Sequence, residues 1–132
     1  MSSTAAGTHI DQLATVMVPV SDQDAAIAFY TLKLGFEKRT DVPMGEAMRW
    51  IEVAPPGAAS TIAIVPAREG ETVGVETRIA LETTDIDADH ASLKAQGVDV
   101  DAEISRMGDP VPPMFFFRDQ DSNRLLIVQR GG

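Results

Sequence analysis

The chain of 132 residues contains no cysteine. Disulfides, thiol nucleophiles and Cys-ligated zinc or iron–sulfur centres are therefore excluded. The same absence agrees with a reducing cytoplasm, the location expected here. Basic residues are scarce: 11 Lys and Arg stand against 20 Asp and Glu, a formal net charge of −9. A surface of that sign repels polyanions, so nucleic acid is not an expected partner. No apolar run approaches the roughly 20 residues that span a bilayer. Met1 to Gly7 has neither the basic nor the apolar stretch of a secretory leader, and no membrane partner is expected. Histidine is limited to His9, near the start, and His90, expected on the solvent side of a helix. With neither placed beside a serine, and with no G-x-S-x-G or G-x-x-x-x-G-K-[ST] sequence, a serine triad and a phosphate-binding loop have no support.

What is present is a repeat. Ser21-Asp22-Gln23-Asp24 opens a helical pattern that stops at Gly35, and the strand-like Phe36-Glu37-Lys38-Arg39 follows. Thr84-Asp85-Ile86-Asp87 opens a second helical pattern that stops at Gly97, and Val98-Asp99-Val100-Asp101 follows. The offset is 63 residues between Asp22 and Asp85 and 62 between Gly35 and Gly97. A period of that size is one supersecondary unit used twice.

Around these marks the patterns predict strands at 13–20, 36–40, 48–53 and 61–65 with a helix from Asp22 to Gly35. The helix carries an apolar stripe of Ile27, Tyr30, Thr31 and Leu34. They then predict strands at 77–83, 98–104, 112–118 and 124–128 with a helix over 85–96. In 98–104, Val98, Val100, Ala102 and Ile104 alternate with acidic residues, the mark of a strand with one wet face. Each half thus reads β-α-β-β-β. The expected organisation is a mobile tail over 1–9 and a single domain over 10–132. Within it, module one covers about 12–66, a linker about 67–75 and module two about 76–130.

Three stretches carry a family likeness: Val18-Pro19-Val20-Ser21-Asp22 with Phe29-Tyr30 and Leu34-Gly35-Phe36; Thr84-Asp85-Ile86-Asp87 with Ala95-Gln96-Gly97-Val98; and Phe116-Phe117-Arg118-Asp119-Gln120-Asp121-Ser122-Asn123. In this order the chain resembles the vicinal oxygen chelate superfamily of glyoxalases, bleomycin-resistance proteins and extradiol dioxygenases. The last stretch departs from the family's turn by Gln120 for Pro and Ser122 for Gly. The resemblance implies an α+β fold: two tandem βαβββ modules forming a curved, cup-like sheet, the glyoxalase/bleomycin resistance/dihydroxybiphenyl dioxygenase fold. It also implies a homodimer, with the pocket often built partly across the interface.

In the metal-dependent members the resemblance places ligands on the first and last strand of each module. Counting from Asp22, Asp85 and the Asp119 turn, those positions hold Thr15, Thr61 or Ala63, Arg78 and Leu126. None is a usual ligand, and an arginine is the opposite of one. The expectation is therefore a small-molecule-binding protein with no metal and no cofactor. The ligand would sit in the cup, held by Arg78, Glu82, Arg49, Trp50, Met17, Thr15, Phe115 and Phe117. Arg78 would hold an anionic or carbonyl group, with Glu82 as its internal partner in the purely structural reading. Trp50 and one phenylalanine would serve as flat platforms, and no catalytic residue is assigned. The alternative is a metal-dependent lyase or dioxygenase with unusual ligands such as Glu82. A third reading, a dimeric scaffold, requires a cup filled by its own side chains.

Overall fold

The computed structural model describes residues 7–46 and 48–131; most of the expected tail, residues 1–6, lies outside them. Residues 7–14 form no helix or strand. The order of elements is β1 (Thr15–Val20), α1 (Gln23–Ala28) continuing as a π-helical turn (Phe29–Lys33), β2 (Glu37–Pro43), β3 (Arg49–Ala54) and β4 (Thr61–Pro66). It continues with β5 (Glu76–Thr83), α2 (Ile86–Ala95), β6 (Asp99–Val100), β7 (Met114–Arg118) and β8 (Arg124–Gln129). The strands form two four-stranded sheets of the same order, β1-β4-β3-β2 (sheet A) and β5-β8-β7-β6 (sheet B). Each module is βαβββ, as the repeat requires.

The helix starts follow from their caps. The Asp22 carboxylate accepts from the amides of Asp24 and Ala25, and Asp85 accepts from Ala88. These bonds satisfy amide groups that have no partner within the helix. The first helix departs from the expected stripe: the π-helical turn puts the neighbours Phe29 and Tyr30 both into the core, while Ile27 and Leu34 are only half-buried. Gly35 closes it with φ 78°, a left-handed conformation that suits glycine.

The strand expected over 98–104 is a correction. Only Asp99 and Val100 pair as β6, and the chain rejoins β7 at the isolated bridge between Ser105 and Met114. The Asp101 carboxylate explains the break. It accepts from the Phe116 amide at 3.0 Å and from Arg118 at 3.0 Å, so a side chain takes the place of the next ladder bond. The alternation seen in sequence was apolar residues around that detour.

One core serves both modules. Val18, Val20, Ile51, Val53, Ile62 and Ile64 from sheet A meet Phe115, Phe117, Leu125 and Ile127 from sheet B, with Ala26, Phe29, Tyr30, Ile86 and Leu93 from the helices. Phe29 stacks on Phe117 across the modules, with ring centroids 6.3 Å apart. His90 is a second correction. It is half-buried, edge-on to Phe115 at 4.8 Å, with Nε2 2.7 Å from the Asp101 carbonyl oxygen.

The turn after β7 fastens the modules together. Buried Asp119 accepts from the Tyr30 hydroxyl at 2.8 Å and from the amides of Asp121 and Asn123. Buried Asn123 donates to the Pro19 carbonyl and to Asp119, and its own carbonyl accepts from the amides of Gly74 and Val75. Asp121 accepts from the Ser21 amide and hydroxyl. Burial alone would raise the Asp121 carboxyl, but the Ser21 bonds outweigh it and hold its pKa below the ordinary value.

Candidate functional site

Because alternate residues of a strand face opposite ways, the residues not in the shared core define the other face of each sheet. On sheet A that face carries Thr15, Met17, Thr40, Val42, Trp50, Glu52, Thr61 and Ala63, joined by the pairings Thr15 with Thr61, Met17 with Ala63, Glu52 with Ala63, and Trp50 with Val42. On sheet B it carries Ala80, Glu82, Met114, Phe116, Leu126 and Val128, with Glu76 paired to Arg124 at its end. Both faces point away from the common core. At their edges the two meet: Thr61 of sheet A and Arg78 and Ala80 of sheet B line one cavity of about 330 Å³ with Leu13, Val16 and Ile79.

The wall on sheet A is a hydrogen-bonded line. Trp50 Nε1 donates to Glu52 Oε2 at 2.8 Å, and Thr61 Oγ1 lies 2.9 Å from Glu52 Oε1 and 2.7 Å from Thr15 Oγ1. Met17 is 61% exposed beside it, a large apolar side chain left mostly open by the described residues. Thr15, Met17 and Trp50, all expected in the cup, are brought together on this wall. Glu52 was not foreseen. Its signal was available: a carboxylate in an apolar strand, two residues from Trp50 and hence on the same face.

The wall on sheet B is aromatic and cationic. The Arg124 guanidinium carbon lies 3.6 Å from the centroid of the Phe116 ring, a stacked cation–π contact. Arg124 also pairs with Glu76, whose carboxyl is held below its usual range first by that bond, against some loss of hydration. Arg78, Ala80, Phe116, Arg124 and Leu126 line a cavity of about 310 Å³, the size at which small-molecule sites begin. Arg78 has no ion-pair partner among the described residues and φ 62°, in the left-handed region that L side chains rarely adopt. It forms a bulge: pairing of β5 with β8 breaks between Glu76 and Ala80.

Four expectations change with these facts. The bulge sets Ala80, not Arg78, opposite Leu126. Glu82 is not the partner of Arg78; it faces Arg130 at 3.5 Å. Arg49 is taken up by two carboxylates, Asp41 in a two-bonded fork at 3.0 and 2.8 Å and Asp24 at 2.8 Å. Asp41 is held far below the usual carboxylate range, first by its bond to Arg49 and then by Lys38. Phe115 and Phe117 are fully buried among the helices, because β7 places Phe116, not its neighbours, on the open face.

The metal of the chelating members does not fit these residues. The counted positions hold Thr15, Thr61 or Ala63, Arg78 and Leu126, and the bulge puts Ala80 opposite Leu126. The carboxylates on these faces, Glu52 on sheet A and Glu76 and Glu82 on sheet B, are scattered, the latter two paired with Arg124 and Arg130. Hard or borderline divalent ions need several carboxylate or imidazole ligands. No group of three or more His, Cys, Asp or Glu among the described residues is placed to hold an ion.

A paired βαβββ fold with an open curved face on each sheet defines a class of small-molecule-binding and small-molecule-transforming proteins. The profile of the Glyoxalase/Bleomycin resistance protein/Dioxygenase superfamily matches residues 10–127, and the chain belongs to that superfamily. It is 36% identical over 121 residues to the uncharacterized protein YetH of Bacillus subtilis (strain 168), covering 91% of this chain and 99% of that one. Among solved structures it is similar to a superfamily member from Sphaerobacter thermophilus DSM 20745, with TM-score 0.86, 32% identity, and 93% of this chain and 100% of that one covered. It is also similar to TnmS3, an antibiotic binding protein from Streptomyces sp. CB03234, with TM-score 0.81, 33% identity, and 94% and 99% covered. No helix among the described residues is long and apolar enough to cross a membrane.

Proposed function

We propose that this protein binds a small organic molecule without a metal, in a cup closed by two copies of the chain. The observation that carries the reading is wall B: an aromatic platform (Phe116 under Arg124) beside a cation, Arg78, that has no ion-pair partner among the described residues. Arg78 is exposed in the single chain; closing the cup over it removes its water, and a guanidinium so enclosed demands an anion or carbonyl. The bulge that presents it is strained, as backbone at binding sites often is. The likeness to an antibiotic binding protein supports a ligand of that size and kind. A homodimer that sets wall A of one copy against wall B of the other encloses the ligand. The lack of cysteine supports a cytoplasmic location.

Two measurements test this. Protein purified from metal-supplemented cells is expected to carry no stoichiometric iron, manganese, nickel or zinc; one such ion per chain overturns the metal-free reading in favour of a metal-dependent lyase or dioxygenase. Sedimentation equilibrium is expected to show a dimer, and 2-naphthoate, a flat anion, is expected to raise the melting temperature. The rise should vanish in Arg78→Ala; an unchanged rise removes Arg78 from the site.

A further inference from the structure

The two walls differ in what they leave unsatisfied. On wall A, the donors around Glu52 (those of Trp50, Thr61 and Thr15) are turned inward. The Trp50 indole N–H is spent on Glu52. Thr61 has one hydroxyl hydrogen and three acceptors in reach: Glu52 Oε1 at 2.9 Å, Thr15 Oγ1 at 2.7 Å and the Ala14 carbonyl at 3.5 Å. The carboxylate is the strongest of these acceptors, so it takes the hydrogen. Thr15 then donates in its turn, to Thr61 Oγ1 or to the Thr61 carbonyl at 3.2 Å. What remains free are lone pairs: those of the Thr15 hydroxyl, and about two of the four sites on the Glu52 carboxylate. Arg39 of β2 is taken up by Glu37 and the Pro55 and Ala58 carbonyls, and Glu52 makes no ion pair among the described residues. It is the one uncompensated anion of wall A, held in place from both sides by Trp50 and Thr61.

Wall B is its complement. Arg124 is neutralised by Glu76, Arg118 by Asp101 and Glu82 by Arg130. That leaves Arg78 as the uncompensated cation. Across a closed cup the ligand therefore meets acceptors on one side and a donor cation on the other.

From this we infer that Glu52 reads a hydrogen-bond donor on the ligand, and that the ligand class is a flat ring system with a hydroxyl or amino group at one end and an acidic or carbonyl group at the other. The inference rests on the cup reading above and assigns a residue and a chemical class to it. A carboxylate held with spare lone pairs discriminates strongly, because an analogue without the donor leaves it buried and unpaired.

The test uses three probes that all carry the carboxylate for Arg78: 6-hydroxy-2-naphthoate, which has a donor; 6-methoxy-2-naphthoate, which replaces it with an acceptor; and 2-naphthoate, which has neither. Calorimetric titration of the full chain is expected to give the hydroxy compound about tenfold tighter binding than the methoxy compound. Trp50 is the single tryptophan of the chain, so its fluorescence should change most with the hydroxy compound. Glu52→Gln is expected to bring the hydroxy and methoxy compounds within about twofold of each other, whereas Arg78→Ala weakens all three alike and keeps their order. Should Glu52→Gln lower the melting temperature, Thr61→Val, which releases one tether of Glu52, is expected to reduce the same preference. Binding of all three with no preference, or a preference that survives Glu52→Gln, overturns the role of Glu52 and leaves the cup standing. Failure of all three to bind the wild type overturns the cup reading itself.

Discussion

Modules one and two are the same unit, yet their turns do unequal work. In module one the connection between β3 and β4 is a local β-turn: the Ala58 amide donates to the Pro55 carbonyl at 3.1 Å, with Gly57 at φ 80°. Arg39 of the same module clamps it, donating to the Ala58 carbonyl at 2.6 Å and the Pro55 carbonyl at 2.8 Å. In module two the connection between β7 and β8 reaches outside its own hairpin. Asp119, Asp121 and Asn123 bind Tyr30, Ser21 and Pro19 of module one and the 74–75 amides of the connecting segment. One turn thus carries hydrogen bonds across the junction, while those of the other stay within module one. The walls divide in the same way, acceptors on sheet A and an unpaired cation on sheet B.

The largest expected effect tests the difference between the turns. Asn123→Ala removes a fully buried side chain and strands the Gly74 and Val75 amides and the Pro19 carbonyl. At roughly 1 to 3 kcal/mol for each buried group left unpaired, with partial relief by water, the loss is about 3 kcal/mol. Pro56→Ala in the opposite turn frees only a backbone torsion and should cost about 0.5 kcal/mol. Urea unfolding of the two variants reads both values. Equal losses would break the comparison.

A second test uses pH. Tyr30 is fully buried, and its phenol is pushed well above the ordinary value first by burial and then by the charge of Asp119. Its unfolded-state pKa is about 10. Between that value and the higher folded one, the unfolded chain has lost the proton and the folded chain has kept it. Unfolding therefore releases a proton, and stability falls as pH rises above about 10. Tyr30→Phe should cost about 1.5 to 2 kcal/mol at neutral pH, the worth of a hydrogen bond to a charged group. It should also flatten the alkaline decline in urea midpoint. A decline as steep in the variant as in the wild type would remove Tyr30 from the junction.

The junction was half legible in sequence. The Asp-x-Asp spacing and the repeat marked a turn at 119–123, but nothing local says that its side chains reach across 89 residues to Tyr30. The caps Asp22 and Asp85 were legible because a cap is a local bond. The walls were legible only as far as strand parity held. Trp50, Met17 and Thr15 lie where alternation puts them. The run Phe115-Phe116-Phe117 reads equally well in either phase, and a shift of one residue exchanges core and cup; the register of β7 against β8 decides for Phe116. Arg78 defeats parity altogether, because an arginine gives no warning of a left-handed bulge where glycine would. Arg49, on a strand, looked available, and its two carboxylate partners come from β2 and α1, which only the fold brings near.

The smallest expected effect concerns strain, and it also separates the modules. The family's turn has glycine where this chain has Ser122, and Ser122 adopts φ 65°. The module-one turn keeps glycine at its own left-handed position, Gly57, where an added Cβ would meet no atom within 4 Å. A side chain in that conformation costs on the order of 1 kcal/mol, offset in part because glycine loses more freedom on folding. Ser122→Gly should thus raise stability by about 0.5 to 1 kcal/mol, and Gly57→Ser should lower it by a similar amount, both by urea unfolding. Arg78→Gly relieves the same strain at φ 62° and should also stabilise, but it removes the free cation, so binding of 2-naphthoate should be lost as stability rises. A stabilised Arg78→Gly that still binds would mean that the bulge is only a blunted sheet edge. Loss of binding with gain of stability means that module two keeps its strain to hold a ligand.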